Sequence, residues 1–153
     1  METNNGTATS TEKNLDSACA SVTGEIARTD SKASLLLAFT GAVLAGLASA
    51  ADTQLPLVTK AFGTLAVLTL GAAAVLLLLV VRPRLGGTDR ASFPYWAQLD
   101  EDEIRASMTG DTRAARIRVL SGIALRKYTR LRYAVDTILT ALVLLTAAAA
   151  GAL

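Results

Sequence analysis

An all-α integral membrane protein with three transmembrane helices is the fold class that this sequence predicts. The first observation is the placement of charge. No residue is ionisable from Ala33 to Ala51, from Ala61 to Val81, or from Thr137 to Leu153. The second is the block between the last two gaps, which carries 11 of the 15 Lys and Arg residues. A bilayer core of about 30 Å needs about 20 apolar residues of helix, and a central charge costs about 2.5–3.5 kcal/mol on insertion scales. The third is that the apolar residues, 52% of the chain, are blocked rather than dispersed. A soluble protein with a large core distributes them.

Residues 1–11 are rich in Thr, Asn, Ser and Gly and predict a disordered tail. They lack a basic n-region, and the first apolar block starts beyond residue 30, so no signal peptide is expected. Residues 12–153 then form one membrane domain, with spans at about 33–51, 59–81 and 134–153 and a cytoplasmic segment at 82–132. Spans one and two make an antiparallel hairpin. Asp52, Thr53, Gln54 and Pro56 supply its turn, and Pro56 suits a helix start. Arg82-Pro83-Arg84 ends the second helix and Leu85-Gly86-Gly87 loosens the exit. Small residues recur in the first span at Gly41, Ala45 and Ser49 and at Ala42, Gly46 and Ala50. That spacing lets backbones approach in lipid, although Ala and Gly are also common in spans generally.

Two patterned segments adjoin the spans. Leu15, Cys19, Val22, Ile26 and Ala33 follow a spacing of about 3.5 residues, with a polar position at Thr29. Ile117, Leu120, Ala124, Tyr128, Leu131, Val135 and Ile138 do the same. No breaker separates either segment from its span. Helices one and three are therefore expected to extend into the cytoplasm as rods whose seams pack as a short helical coil. Phe93-Pro94-Tyr95-Trp96 either lies at headgroup level or caps that bundle. Asp100-Glu101-Asp102-Glu103 reads as the acidic first turn of a short helix ending near Gly110. Lys13, Arg28 and Lys32 precede the first span, and only Lys60 lies between the first two. The positive-inside rule puts the N-terminus and the middle segment in the cytoplasm and the C-terminus outside.

Nothing in the chain resembles an enzyme site. There is no phosphate-binding loop, dinucleotide fingerprint or nucleophile elbow. There is no His, and Cys19 is alone, so neither a disulfide nor a metal cluster is expected. No cofactor and no nucleic-acid partner are expected. The acidic run at 100–103 sits on consecutive positions and cannot converge across a cleft.

The candidate functional residues are juxtamembrane charges. Arg28, Asp30 and Lys32 precede the first span. Arg126, Lys127, Arg130 and Arg132 lie at the same distance below the third. The two groups are expected to meet. They form either an ion-paired positive-inside collar or an anion site in which Lys and Arg receive a phosphate. Asp136 falls one turn inside the third apolar block. A carboxylate there either faces the bundle interior, pairing with Lys32 or Arg132, or reaches headgroup water.

These residues carry a family resemblance. Ala27-Arg28-Thr29-Asp30-Ser31-Lys32-Ala33-Ser34, running into Leu35-Leu36-Leu37, resembles the "ADxKAS-apolar" start of the first span of the Pycsar membrane effectors. The segment Ile117–Ala134, "IxxLSxIAxxKYxxLRxA", is similar to that family's closing helix. The middle aromatic segment fits less well, and the resemblance covers most of residues 12–150. It implies a bacterial inner-membrane protein of antiphage defence. A partner cyclase makes a cyclic pyrimidine mononucleotide, cCMP or cUMP, and the effector responds by impairing the host membrane, causing abortive infection. The motif positions it marks are Asp30, Lys32, Lys127, Tyr128 and Arg132. Nothing in the chain resembles a cyclic-nucleotide-binding β-roll, so a nucleotide would bind the helical cytoplasmic part, between chains. Three thin spans cannot enclose a conduit alone, so a homo-oligomer in the lipid bilayer is expected. The alternative reading is a structural or adaptor protein that anchors a cytoplasmic partner through its coil. A small transporter subunit fits less well, because the spans hold few polar residues beyond Thr and Ser.

Overall fold

A computed structural model describes residues 3–49, 55–83, 92–107 and 109–152. Five helices follow in order: α1 (Thr3–Ser49), α2 (Leu57–Val81), α3 (Phe93–Trp96), α4 (Glu101–Ser107) and α5 (Arg113–Ala150). No strand occurs among the described residues. Three helices are long and apolar enough to cross a membrane, within Thr9–Ser49, Leu57–Val81 and Arg113–Ala150. At 1.5 Å per residue, the 25 residues of α2 span about 37 Å, matching a bilayer core with its margins. The 47 residues of α1 and 38 of α5 exceed what a core requires. The continuous rods expected from the unbroken patterns are present.

α1 reaches back to Thr3, where the composition predicted disorder up to Thr11. Thr, Asn and Ser are weak helix formers, but no proline interrupts the segment and the downstream helix supplies the nucleus. The turn residues Asp52, Thr53 and Gln54 and the exit Leu85-Gly86-Gly87 lie outside the described residues. The boundaries beside them are as expected. Pro56 is the N-cap of α2, and Arg82 is its C-cap, donating its backbone N–H to the Leu78 carbonyl at 2.9 Å. The acidic run starts α4 with a reciprocal capping box. Glu103 N donates to Asp100 Oδ1 at 2.8 Å, and Asp100 N donates to a Glu103 carboxylate oxygen at 3.1 Å.

The chain divides into two compact units. The first comprises Met1–Arg28 and Pro83–Arg126. Within it, Leu15, Cys19, Val22 and Ile26 form the half-buried face of α1, and Ile117, Leu120 and Ala124 that of α5. Arg113 joins the two helices: its guanidinium donates to Asp16 Oδ1 at 3.0 Å and to the Glu12 carbonyl at 3.3 Å. It also grips Asp111, through Nε at 3.0 Å and a terminal nitrogen at 3.2 Å. The guanidinium holds the Asp111 carboxyl below the usual carboxylate range, and the same bonds push the Arg113 pKa up. Tyr95 and Trp96 of α3 are half-buried in this unit.

The second unit comprises Thr29–Arg82 and Lys127–Leu153 and contains the three spans. Its core joins Ala33 of α1, Ala73, Leu77 and Val80 of α2, and Leu131, Ala134 and Ile138 of α5. Each helix contributes a fully buried alanine, so backbones come close where the three meet. In lipid, such packing rather than water exclusion holds helices together. The opposite faces carry exposed Leu35, Leu57, Leu68 and Val143, as lipid contact requires. Most hydroxyls within the spans bond along their own helices. Thr40, Thr64, Thr69, Thr137 and Thr140 each donate to the carbonyl four residues earlier at 2.7–2.9 Å.

The small-residue stripe of α1 points elsewhere than this core. Gly41 and Gly46 are exposed, and a Cβ on either would meet nothing within 4 Å. Thr29, Ala33 and Thr40 are the α1 residues that bury.

Candidate functional site at the inner end of the spans

Two basic residues of α5 reach the other helices of the second unit. Lys127, Leu131, Ala134 and Ile138 are spaced four, three and four apart, so Lys127 continues the core stripe by one turn. Its ammonium donates to both carboxylate oxygens of Asp30 on α1, at 2.5 and 2.7 Å. The pair is partly shielded, with 18% of the Lys127 side chain and 35% of the Asp30 side chain exposed. Exposed pairs contribute about 0.2–1 kcal/mol, and removing one partner of a fully buried pair costs about 3–5 kcal/mol. This pair lies between those limits. Asp30 is held in place by the helix that continues into the buried Ala33. Ser34, one turn on, returns its hydroxyl to the Asp30 carbonyl at 3.0 Å.

Arg130, an exposed residue, makes the second contact. Its guanidinium donates to the Leu79 carbonyl at 3.2 Å. That carbonyl is one of the last four of α2, which have no partner within the helix and lie at the negative end of its dipole. A cation there is favoured on both counts. Through Lys127 and Arg130, less than one turn apart, α5 is therefore tied to α1 by charge and to α2 by a side-chain cap. The chemistry available is anion exchange. An ammonium that holds a carboxylate with charge-assisted bonds can hold a phosphate in the same way.

The remaining candidates distribute around this clasp. Lys32 is exposed and makes no ion pair among the described residues. Tyr128 is on the rim, 38% exposed, although the periodicity placed it in the seam. Its neighbour Lys127 takes the inward position instead, because Ala124, Lys127, Leu131, Ala134 and Ile138 keep alternating steps of three and four residues. Arg28 and Arg126 belong to the first unit, where each serves its own helix. Arg28 pairs with Glu25 at 2.8 Å, and Arg126 Nε donates to the Gly122 carbonyl at 3.1 Å. The expected meeting of two charge groups thus reduces, in the second unit, to Asp30 with Lys127. Arg130 meets a backbone carbonyl rather than the acid.

Asp136 does not face the interior of its unit. Ala134 and Ile138 occupy the inward positions on either side of it, so the residue midway between them points out. Its side chain is 60% exposed, and its partner is Arg132 at 4.0 Å, not Lys32. At that distance the two share charge but no hydrogen bond.

At the other end of the spans, sequence inspection missed a cavity of about 590 Å³. Leu47 of α1, Thr59, Lys60 and Gly63 of α2, and Leu145 and Ala148 of α5 line it. Thr59 is buried there with a hydroxyl that has no partner among the described residues, close to Gly151. No cluster of His, Cys, Asp or Glu among the described residues can hold a metal.

Comparison with known proteins places this arrangement. No curated protein and no solved structure matches the chain. A family model described as the Pycsar effector protein domain matches residues 14–153, which include most of α1, all of α2 and α5, the three spans and the Asp30–Lys127 clasp. The chain belongs to the Pycsar effector family, as an antiphage membrane effector.

Proposed function

We propose that this effector responds to a cyclic pyrimidine mononucleotide, cCMP or cUMP, by impairing the bacterial inner membrane, which ends infection by killing or arresting the cell. A partner cyclase supplies the nucleotide. The N-terminus is cytoplasmic and the C-terminus outside, which puts Asp30, Lys127 and Arg130 on the side where the nucleotide is made. The chain acts by binding and rearrangement rather than by catalysis, in homo-oligomeric form.

The observation that supports this reading is the clasp. Lys127 holds a single carboxylate at the rim of the spans, and its neighbour Arg130 secures the end of α2. A cyclic phosphate arriving at Lys127 competes with Asp30 for the same ammonium. Tyr128, on the rim beside it, offers a ring for the base to stack on. Loss of the Asp30 contact releases α1 from α5 where both run into the membrane. A ligand that binds the released state better shifts the population towards it by its difference in affinity.

The test is membrane potential in cells expressing the chain, with and without the nucleotide. Lys127→Ala is expected to abolish nucleotide-triggered depolarisation at unchanged insertion and abundance. Asp30→Lys combined with Lys127→Glu separates two roles. Continued loss with normal assembly marks Lys127 as a ligand contact, whereas recovery marks a purely structural pair. Wild-type behaviour of Lys127→Ala would remove the residue from the site. The adaptor reading, in which the first unit anchors a cytoplasmic partner, predicts no depolarisation under either nucleotide.

A further inference from the structure

The outward face of α5 carries a cation and an anion, Arg132 and Asp136, at the inner edge of the third span. Leu131, Ala134, Ile138, Ala141 and Ala148 are the buried positions of this helix. At 3.6 residues per turn, Arg132 and Asp136 fall roughly 150–190° around the helix from that stripe. Thr140 follows Asp136 by one turn, and Val143, 66% exposed, and Leu139, 55% exposed, extend the same face outward. Arg132 and Asp136 are 84% and 60% exposed, and their mutual distance is 4.0 Å. Neither points at any helix of its own unit. An ionisable residue within a span nearly always faces a protein interior or a polar path. Here one chain alone provides neither.

We propose that this face is the contact between copies of the chain, with α5 against α5 and the Arg132 of one copy paired with the Asp136 of the next. Copies inserted in the same direction hold α5 at equal depth. Arg132 of one chain then lies about 6 Å along the axis from Asp136 of its neighbour, the same rise that separates them within one helix. An arginine side chain covers that rise, and it can form with the neighbouring carboxylate the hydrogen bonds that the 4.0 Å intrachain contact lacks. The stripe is self-complementary, since each copy presents one cation and one anion a turn apart. Thr140, Leu139 and Val143 continue the contact towards the outer end with small or branched side chains that pack closely. A ring built on such contacts places polar groups of α5 between chains, away from lipid. This interface adds to the proposed nucleotide response and does not depend on it.

The test is site-directed disulfide trapping in native membranes, without nucleotide, in full-length chain carrying Cys19→Ser. Val143→Cys is expected to give a covalent dimer. Val75→Cys, on the exposed face of α2, is expected to give little. Asp136→Arg added to Val143→Cys is expected to lower the dimer yield at least several-fold. Arg132→Asp combined with Asp136→Arg is expected to restore it. Alkaline extraction verifies that each variant remains inserted. Equal trapping at Val75 and Val143 overturns the proposal, as does a Val143→Cys yield indifferent to Asp136→Arg. Absence of any dimer overturns it too, leaving the pair a headgroup contact. Loss of nucleotide response with intact trapping would count against the proposed function alone.

Discussion

At the residue scale, orientation on a helix decides which charges have a role. Lys127 turns inward because it continues the stripe of Leu131 and Ala134, and Arg130, exposed on the flank of that stripe, reaches the Leu79 carbonyl. Arg132 and Asp136, only a few residues on, turn outward. Depth was legible from sequence, since the charges stop at Lys32 on one rod and resume at Asp136 on the other. The pairing of Asp30 with Lys127 followed from that depth. The Arg130 partner did not, because a helix-end carbonyl has no signature in residue type. Arg113 likewise looked like one basic residue among many, yet it joins Asp16, Asp111 and the Glu12 carbonyl. Its effect on Asp111 has a pH consequence. A carboxyl whose pKa is lowered by folding adds stability above the unfolded value of about 4 and loses it as pH falls through the lowered folded value. Wild-type protein in detergent is therefore expected to outlast Asp111→Asn on heating at neutral pH. The difference should shrink as pH drops below about 4. A pH-independent difference would mean that Asp111 acts by shape rather than by charge.

At the element scale, the charge gaps and the punctuation of proline and glycine defined the helices. Pro56 starts α2 and Arg82-Pro83 ends it, as the chain dictates locally. The small-residue spacing of α1 was less informative, since spacing alone does not say which face meets a partner. Alanines 33, 73 and 134 carry the close approach instead, while Gly41 stands in open space. Substitution separates the two sets. Ala134→Leu overfills the contact of three helices and is expected to destabilise the spans by about 1–3 kcal/mol. Gly41→Ala is expected to be neutral or to stabilise α1 by about 0.5–1 kcal/mol, through lower backbone entropy in the unfolded chain. Thermal unfolding in detergent reads both. A large loss from Gly41→Ala would show that this glycine packs against something beyond the chain itself.

At the scale of the whole molecule, α1 and α5 each contribute to both compact units, so the residues at which they pass from one to the other are informative. The pass falls at Arg28–Thr29 on α1 and Arg126–Lys127 on α5. The clasp begins immediately beyond it, with Asp30 and Lys127. The all-helical class, the three spans and the family were legible in the sequence because lipid imposes long charge-free segments and the motif residues flank them. The division into two units was not legible, because an unbroken helical pattern does not mark where tertiary contacts change partners. The same architecture makes the functional claim directly measurable. Purified protein is reconstituted in vesicles of phosphatidylethanolamine and phosphatidylglycerol that contain a self-quenched dye. Addition of cCMP or cUMP to the face bearing the N-terminus is expected to release dye from wild-type vesicles and not from Lys127→Ala vesicles. Vesicles that stay sealed with both nucleotides, while the reconstituted protein is inserted and folded, would contradict a nucleotide-triggered membrane effector.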